Sequence, residues 1–121
     1  MIKISRDVID FVIHAAKEVH PKEFIGLLEE EDGVISKVLV VPNSIFGRGF
    51  SSIRYQFLSI SDHPSGSIHT HPTPNNRPSK QDLNFFNTFG KAHIIISYPY
   101  RYEDVAVYDN SGKPQEFIIV D

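Results

Sequence analysis

The segment SRDVIDFVIHAAKEVHP places the strongest constraint on the fold of this chain. Its apolar residues recur at the spacing of one helix face: Val8, Val12, Ala15 and Val19. Ser5 can cap the first turn and Pro21 cannot continue a helix, so the pattern predicts an amphipathic helix from about Ser5 to His20. We expect the apolar face of this helix to pack on a sheet.

Short apolar runs after this helix predict the sheet. EFIGLLEE and VISKVLVVP flank the turn-like EDG and predict a β-hairpin with arms near 24–30 and 34–41. Further strands are predicted at IRYQF, GSIHTH, AHIIISY, EDVAVYD and QEFIIVD, with NSGKP as a turn between the last two. SKQDLNFFNTFGK predicts a second helix from about Ser79, with Gly90 as its stop signal. This order predicts an α+β fold, a single mixed or antiparallel sheet flanked by helices.

The composition predicts one folded domain covering residues 1–121. Cysteine is absent, which excludes disulfides and thiolate metal sites and suits a reducing cytoplasm. The net charge of −3 argues against a nonspecific nucleic-acid binder, which would carry a basic face. No apolar run approaches the ~20 residues of a membrane span, and the start MIKISRDVIDF has no signal-peptide core. We therefore expect a cytoplasmic protein that binds neither nucleic acid nor membrane.

The stretch GSIHTHPTPNNRPSKQDLNFF contains a candidate metal site. On a strand, His69 and His71 project to one face with Cα atoms roughly 6.6 Å apart, so two imidazoles can converge on one ion. Asp82 follows across a loop that three prolines restrict. Two histidines and one carboxylate leave a fourth position open on a tetrahedral ion, as in catalytic zinc sites. Nitrogen and oxygen ligands favour zinc but leave iron, cobalt and manganese open.

The same residues fit a second interpretation that needs no metal. Ser79 and Asp82 match the capping-box pattern of a helix N-terminus, and His-x-His is common by chance on strands. The spacing alone leaves both interpretations open. The remaining histidines are expected to be structural or solvated: His14, His20, His63 and His93.

Three sequence features together carry a resemblance to a known family. His69-Thr70-His71-Pro72 is followed, after six residues, by Ser79-Lys80-Gln81-Asp82, and Glu23 stands far upstream in HPKEFIGLL. This pattern resembles the signature of the JAMM (MPN-plus) zinc metalloproteases. The resemblance covers nearly the whole chain, and FGKAHIIISYPY is similar to the small stand-alone archaeal members. It implies a curved, cytidine-deaminase-like sheet flanked by helices.

The resemblance also implies a role for each site residue. His69, His71 and Asp82 resemble the ligands of one zinc ion per chain, with a water in the fourth place whose pKa the ion lowers. Glu23 resembles the general base that takes the proton of this water. Ser79 resembles the residue whose hydroxyl stabilises the oxyanion, a role that competes with capping the second helix. For Asp82 we expect the ligand and capping roles to be more exclusive, and we favour the ligand role.

The resemblance further implies a substrate class. Members of this family commonly cleave the peptide or isopeptide bond after the C-terminal glycine of ubiquitin or a ubiquitin-like protein. At this length we expect the chain to lack the segments that bind a second ubiquitin, which favours a ubiquitin-like or sulfur-carrier protein with a C-terminal Gly-Gly, and its conjugates. The loop 43–54 is a candidate flap, since Ile45, Phe46 and Phe50 can pack on a partner.

Three other functions remain open from the sequence. The chain could be a non-catalytic MPN-type binding module, although the complete ligand set and Glu23 argue against it. It could be a peptidase that releases an amino acid from a sulfur-carrier adduct with the same residues. A DNA-repair-associated relative shares a similar motif, but the acidic charge balance weighs against that activity.

Overall fold

The computed structural model describes residues 1–41, 64–88 and 90–121. These ranges contain two α-helices, α1 (Arg6–Val19) and α2 (Lys80–Phe86), and a short 3-10 helix at Tyr102–Asp104. They also contain seven strands: β1 (Ile2–Ser5), β2 (Ile25–Glu31), β3 (Val34–Val40), β4 (Gly66–His71), β5 (Ala92–Ser97), β6 (Val105–Tyr108) and β7 (Phe117–Val120). The predicted first helix, the hairpin, the strand GSIHTH and the start of the second helix are confirmed to within one residue.

The seven strands form one mixed sheet in the order β6-β5-β4-β2-β3-β1-β7. β2 pairs antiparallel with β3 and β4, and β5 pairs antiparallel with β6. Three pairs are parallel: β4 with β5, β1 with β3, and β1 with β7. The predicted α+β architecture is confirmed, and β4 with its two histidines lies inside the sheet between β2 and β5.

The sheet curls strongly, as the connection between its two edges shows. β6 and β7 lie at opposite edges, which a flat sheet would hold about 29 Å apart at ~4.8 Å per strand. Pro114 bridges back to Tyr108 of β6, and Phe117 of β7 follows three residues later. Three residues span at most ~11 Å, so the edges approach each other. The predicted turn NSGKP therefore joins two strands that are not neighbours in the sheet.

Apolar side chains on both faces of the sheet build the core. On β5, Ile94 and Ile96 join the buried cluster that contains Val8 and Val12 of α1. Ile95, which points the other way, joins a second cluster with Ile25, Leu27, Phe85 and Phe86, the last two from α2. Each fully buried aliphatic side chain stabilises the fold by about 1.5–3 kcal/mol. The second cluster fixes α2 on the face toward which His69 and His71 also project.

The N-terminal strand β1 was not predicted. Its four residues, IKIS, are too few to show an alternating pattern, and both of its partners are distant in sequence. Ser5 stands at the N-cap position of α1 as expected. The Ser5 side chain makes no capping hydrogen bond within the described part of the chain. The prediction that this side chain caps α1 is therefore wrong.

Gly90 has a different role from the predicted helix stop. α2 ends at Phe86, and Asn87 is its C-cap. Gly90 has a φ of +73°, and a Cβ atom there would lie 2.7 Å from the Gly66 Cα and 2.8 Å from the Ser65 carbonyl oxygen. Glycine is therefore required where the chain passes closely over the start of β4.

Some predicted features fall outside the described residues. They are the strand IRYQF, the candidate flap at 43–54 and His63. Among the residues that are described, no helix is both long and apolar enough to cross a membrane.

Candidate metal centre

The two histidines of the motif lie at the C-terminal end of β4. His69 pairs in register with Ile25 on one side and with Ile95 on the other, which places it deep in the sheet. The alternation of a strand turns both imidazoles to one face of the sheet, as predicted from their spacing, and α2 packs on that face. The His69 and His71 ring centroids are 5.0 Å apart, and Phe86 of α2 lies 6.2 Å from His69. The two rings therefore share one recess between the sheet and α2.

Three side chains with potential metal ligands converge in this recess. The Nε2 atoms of His69 and His71 are 3.1 Å apart. The Asp82 carboxylate lies 3.3 Å from His69 Nε2 through Oδ1 and 3.2 Å from His71 Nε2 through Oδ2. A tetrahedral zinc ion with ligands at ~2.0–2.1 Å has donor atoms about 3.3–3.4 Å apart. The spacing and chemistry of the three donors therefore fit one zinc ion.

A hydrogen bond at Nδ1 of His71 orients the ring so that Nε2 faces the recess. Its Nδ1 lies 2.7 Å from the Asn75 carbonyl oxygen, which can only accept. In the neutral ring Nδ1 therefore carries the proton, and Nε2 presents a lone pair to the recess. A backbone carbonyl behind a histidine is a common arrangement at metal ligands, because it fixes both tautomer and orientation.

The electrostatics of the cluster favour a positive charge at its centre. Burial would raise the pKa of the Asp82 carboxyl, but the hydrogen bonds with His69 and His71 hold that pKa well below its usual range. Burial alone would lower the pKa of His71. The hydrogen bonds with Asp82 and the Asn75 carbonyl outweigh burial, so the pKa of His71 lies above its ordinary value. Both shifts share one cause, the contact of the Asp82 carboxylate with the two imidazoles, and this contact favours positive charge in the recess.

Asp82 takes part in a capping box as well as in the donor cluster. Its Oδ2 accepts a hydrogen bond from the Ser79 N–H at 2.9 Å, and its own N–H donates to Ser79 Oγ at 3.1 Å. The capping box that we expected to compete with the ligand role of Asp82 is present, and the same carboxylate also faces the nitrogens of both histidines. The cap uses a lone pair of Ser79 Oγ and leaves the hydroxyl proton for another acceptor.

Glu23 lies beside the histidine pair, in the segment between α1 and β2. One donor atom each from Glu23, His69 and His71 lie within 4.8 Å of one another. The following residue is tied to β4 twice: the Phe24 N–H donates to Thr70 Oγ1 at 2.9 Å, and the Thr70 N–H donates to the Phe24 carbonyl at 3.0 Å. Thr70, the residue between the two histidines, thus anchors the segment that carries Glu23. The sequence gives no sign of this contact, because the partners are 46 residues apart.

The other described histidines have partners of their own. His14 is exposed and pairs with Glu18 at 3.1 Å. His20 contacts Tyr100 through Nδ1 at 2.7 Å. His93 is buried, and its ring nitrogens lie within hydrogen-bond distance of Ser67 Oγ and Asn110 Oδ1. These contacts agree with structural or solvated roles.

Comparison with known proteins agrees with this geometry. The family described as prokaryotic homologs of the JAB domain matches residues 5–108. A curated protein of Haloferax volcanii, named a probable metalloprotease, is 33% identical over 131 residues, covering 100% of this chain and 81% of that relative.

Solved structures show the same similarity in three dimensions. A structure reported as "JAMM: A Metalloprotease-like Zinc Site in the Proteasome and Signalosome" has a TM-score of 0.80 and 33% identity, covering 100% of this chain and 99% of that one. A JAB1/MPN domain protein from Archaeoglobus fulgidus has a TM-score of 0.77 and 31% identity, covering 100% and 98%. Sheet, helices and donor cluster together define a JAMM-type domain. The chain belongs to the prokaryotic homologues of the JAB domain.

The family prediction is thereby confirmed. The prediction of a zinc cofactor is supported by the donor atoms of His69, His71 and Glu23, which lie within 4.8 Å of one another, and by the zinc site named for the structural relative.

Proposed function

We propose that this protein is a zinc-dependent peptidase that hydrolyses the peptide or isopeptide bond after the C-terminal glycine of a ubiquitin-like modifier. The observation that carries the proposal is the convergence of His69, His71 and Asp82 within 3.3 Å of one another, with Glu23 beside the two histidines. Membership of the family and the similarity to a probable metalloprotease support a hydrolase.

Three side chains would hold the ion. They are His69, His71 and Asp82, whose side chains are 6%, 14% and 10% exposed. When bound, zinc supplies a Lewis acid that polarises the substrate carbonyl and lowers the pKa of the attacking water. Two imidazoles and one carboxylate would hold the ion and leave it accessible to water and substrate.

The protein's own groups then move the proton and stabilise charge. Glu23 accepts the proton of the attacking water and returns it to the leaving amine. The Ser79 hydroxyl, whose lone pair caps α2, donates its proton in a hydrogen bond to the oxyanion that develops on the carbonyl. A water attacks directly, so no covalent intermediate with the protein forms.

The depth of the site supports a glycine-terminated substrate. Because the three donor side chains are almost fully buried, the scissile bond has to reach into a recess. Glycine has no Cβ atom and gives the slimmest backbone for that approach. We expect the natural partners to be conjugates of a small ubiquitin-like or sulfur-carrier protein in the cytoplasm.

A cleavage assay tests the proposal. The zinc-loaded protein is mixed with ubiquitin-like proteins fused through a C-terminal Gly-Gly to a reporter, as linear and lysine-linked conjugates. Mass spectrometry should locate cleavage directly after the second glycine, and a chelator should abolish it. A zinc-loaded protein that binds the modifiers and cleaves none of them would instead be a binding module. Cleavage of adducts with single amino acids alone would make it a sulfur-carrier-adduct peptidase.

A further inference from the structure

The orientation of His71 depends on the loop that follows it. Residues 72–78 lie between β4 and Ser79, the N-cap of α2, and we call them the histidine loop. The Asn75 carbonyl in this loop accepts the hydrogen bond from His71 Nδ1 at 2.7 Å. If this carbonyl moved, the imidazole could turn and Nε2 would leave the recess. What holds the carbonyl in place therefore also controls a donor atom of the cluster.

The contacts of Asn75 itself are local and move with the loop. Its N–H donates to the Thr73 carbonyl at 2.7 Å, and its Oδ1 accepts from the Arg77 N–H at 3.0 Å. The prolines of the loop restrict its internal freedom, but they donate no hydrogen bond to the rest of the molecule. These features shape the loop without fixing its position against the sheet.

Two long-range contacts at the next residue provide that attachment. Asn76 Nδ2 donates to the Asp104 carbonyl at 3.1 Å, and the Tyr108 hydroxyl donates to the Asn76 carbonyl at 2.8 Å. Asp104 is held in turn by Arg101, whose N–H and Nε both lie 2.9 Å from its carboxylate.

Tyr108 is a rigid attachment point for the loop. It is buried at the end of β6, in the same apolar cluster as Ile95, Phe85 and Phe86. A buried ring on an ordered strand has little freedom to move, so its hydroxyl defines a fixed position for Asn76.

We propose that Asn76 and Tyr108 are positioning residues for the metal centre. Together they clamp the peptide segment whose Asn75 carbonyl orients His71. The inference rests on the proposed zinc site and adds two residues that lie five and 37 positions beyond His71 in the sequence.

The test measures metal binding rather than turnover. Tyr108→Phe removes one hydroxyl and keeps the buried ring, and Asn76→Ala removes the contact with Asp104. We expect each to weaken zinc binding by about tenfold, at the lower end of the effect of losing an outer-shell partner. Competition with a chromogenic chelator gives the zinc dissociation constants. With cobalt in place of zinc, the visible absorption bands should shift, because they report ligand geometry.

A matched control separates positioning from a general loss of stability. Ser65→Ala also removes a hydroxyl that donates to a main-chain carbonyl, that of Leu28 at 3.0 Å, but at the opposite end of β4. It should keep the wild-type zinc affinity and cobalt spectrum. Unchanged zinc affinity and cobalt spectrum in both Asn76→Ala and folded Tyr108→Phe would overturn the inference. If Tyr108→Phe does not fold, the zinc affinity and cobalt spectrum of Asn76→Ala alone decide. A wild-type protein that binds no zinc would instead refute the proposed function.

Discussion

Asp82 supplies a negative charge to the donor cluster and a hydrogen-bond acceptor to the cap of α2. Single substitutions can separate these two functions. Asp82 Oδ2 accepts the Ser79 N–H, while both carboxylate oxygens face the histidine nitrogens. An amide at this position keeps an oxygen acceptor for the cap and loses the negative charge. Alanine at position 79 does the reverse, since it removes the capping hydroxyl and leaves the three donors.

We predict that Asp82→Asn loses zinc and Ser79→Ala keeps it. Loss of a direct ligand should cost more than the ~100-fold that loss of an outer-shell partner can cost. Ser79→Ala should lower the free energy of unfolding by about 0.5–2 kcal/mol, as for other lost N-caps. Zinc titration and urea unfolding of both variants check this. Wild-type zinc affinity in Asp82→Asn would show that the carboxylate is only a cap.

Glu23 is expected to take the proton of the attacking water and not to bind the metal. Glu23→Gln should therefore bind zinc like the wild type and lose turnover by about 10²–10⁴-fold, the usual contribution of a general base. Glu18→Gln is the control, because Glu18 is a mostly exposed acid at the end of α1. Elemental analysis and cleavage kinetics are the measurements. Full activity of Glu23→Gln would remove Glu23 from the mechanism.

At the scale of elements, the junction between α2 and β5 is held by a close backbone contact. The N–H groups of Lys91 and Ala92 both donate to the Ser65 carbonyl, at 2.8 and 3.2 Å. Gly90 passes over the start of β4 just before this point, near Gly66. The contact sets where β5 begins beside β4, and so the register of the strand pair that contains both histidines.

Two glycines with similar backbones allow this contact to be tested. Gly33 and Gly90 have φ angles of +80° and +73°. A Cβ atom at Gly33 would meet no atom of the described residues within 4 Å, whereas one at Gly90 would lie 2.7–2.8 Å from backbone atoms. Both Gly33→Ala and Gly90→Ala introduce backbone strain of order 1 kcal/mol or more. Gly90→Ala should be distinctly less stable, because backbone atoms at 2.7–2.8 Å must also move apart. Equal losses in urea unfolding would show that the junction tolerates a side chain.

At the scale of the whole molecule, metal binding should be coupled to folding. The donors come from β4 and α2, which meet only in the folded chain, so the ion binds the native state and hardly the unfolded one. Zinc at 100 times its dissociation constant should add ~2.7 kcal/mol to the free energy of unfolding. Thermal unfolding with zinc and with chelator measures this. Asp82→Asn should show no difference between the two conditions, and a chelator-sensitive Asp82→Asn would contradict the ligand assignment.

Local patterns were enough to predict much of this molecule. The periodicity of α1 and the turn between β2 and β3 depend on neighbouring residues, and both were found from the sequence. The histidine spacing on β4 and the family signature identified the candidate site. β1 was missed because its pairing with β7 joins residues more than a hundred positions apart. The Tyr108–Asn76 contact was missed for the same reason, since hydrogen bonds across 32 positions leave no local pattern.

The capping box at Asp82 has a consequence for how selectively the recess binds an ion. Because Ser79 already fixes the carboxylate rotamer, the metal does not have to immobilise that side chain on arrival. Immobilising a free side chain on binding costs about 0.5–1.5 kcal/mol, and here this entropy is lost during folding instead. The recess is therefore a preorganised binding site before any ion arrives. A site with such fixed ligands should disfavour cations that need a wider or more adaptable shell of ligands.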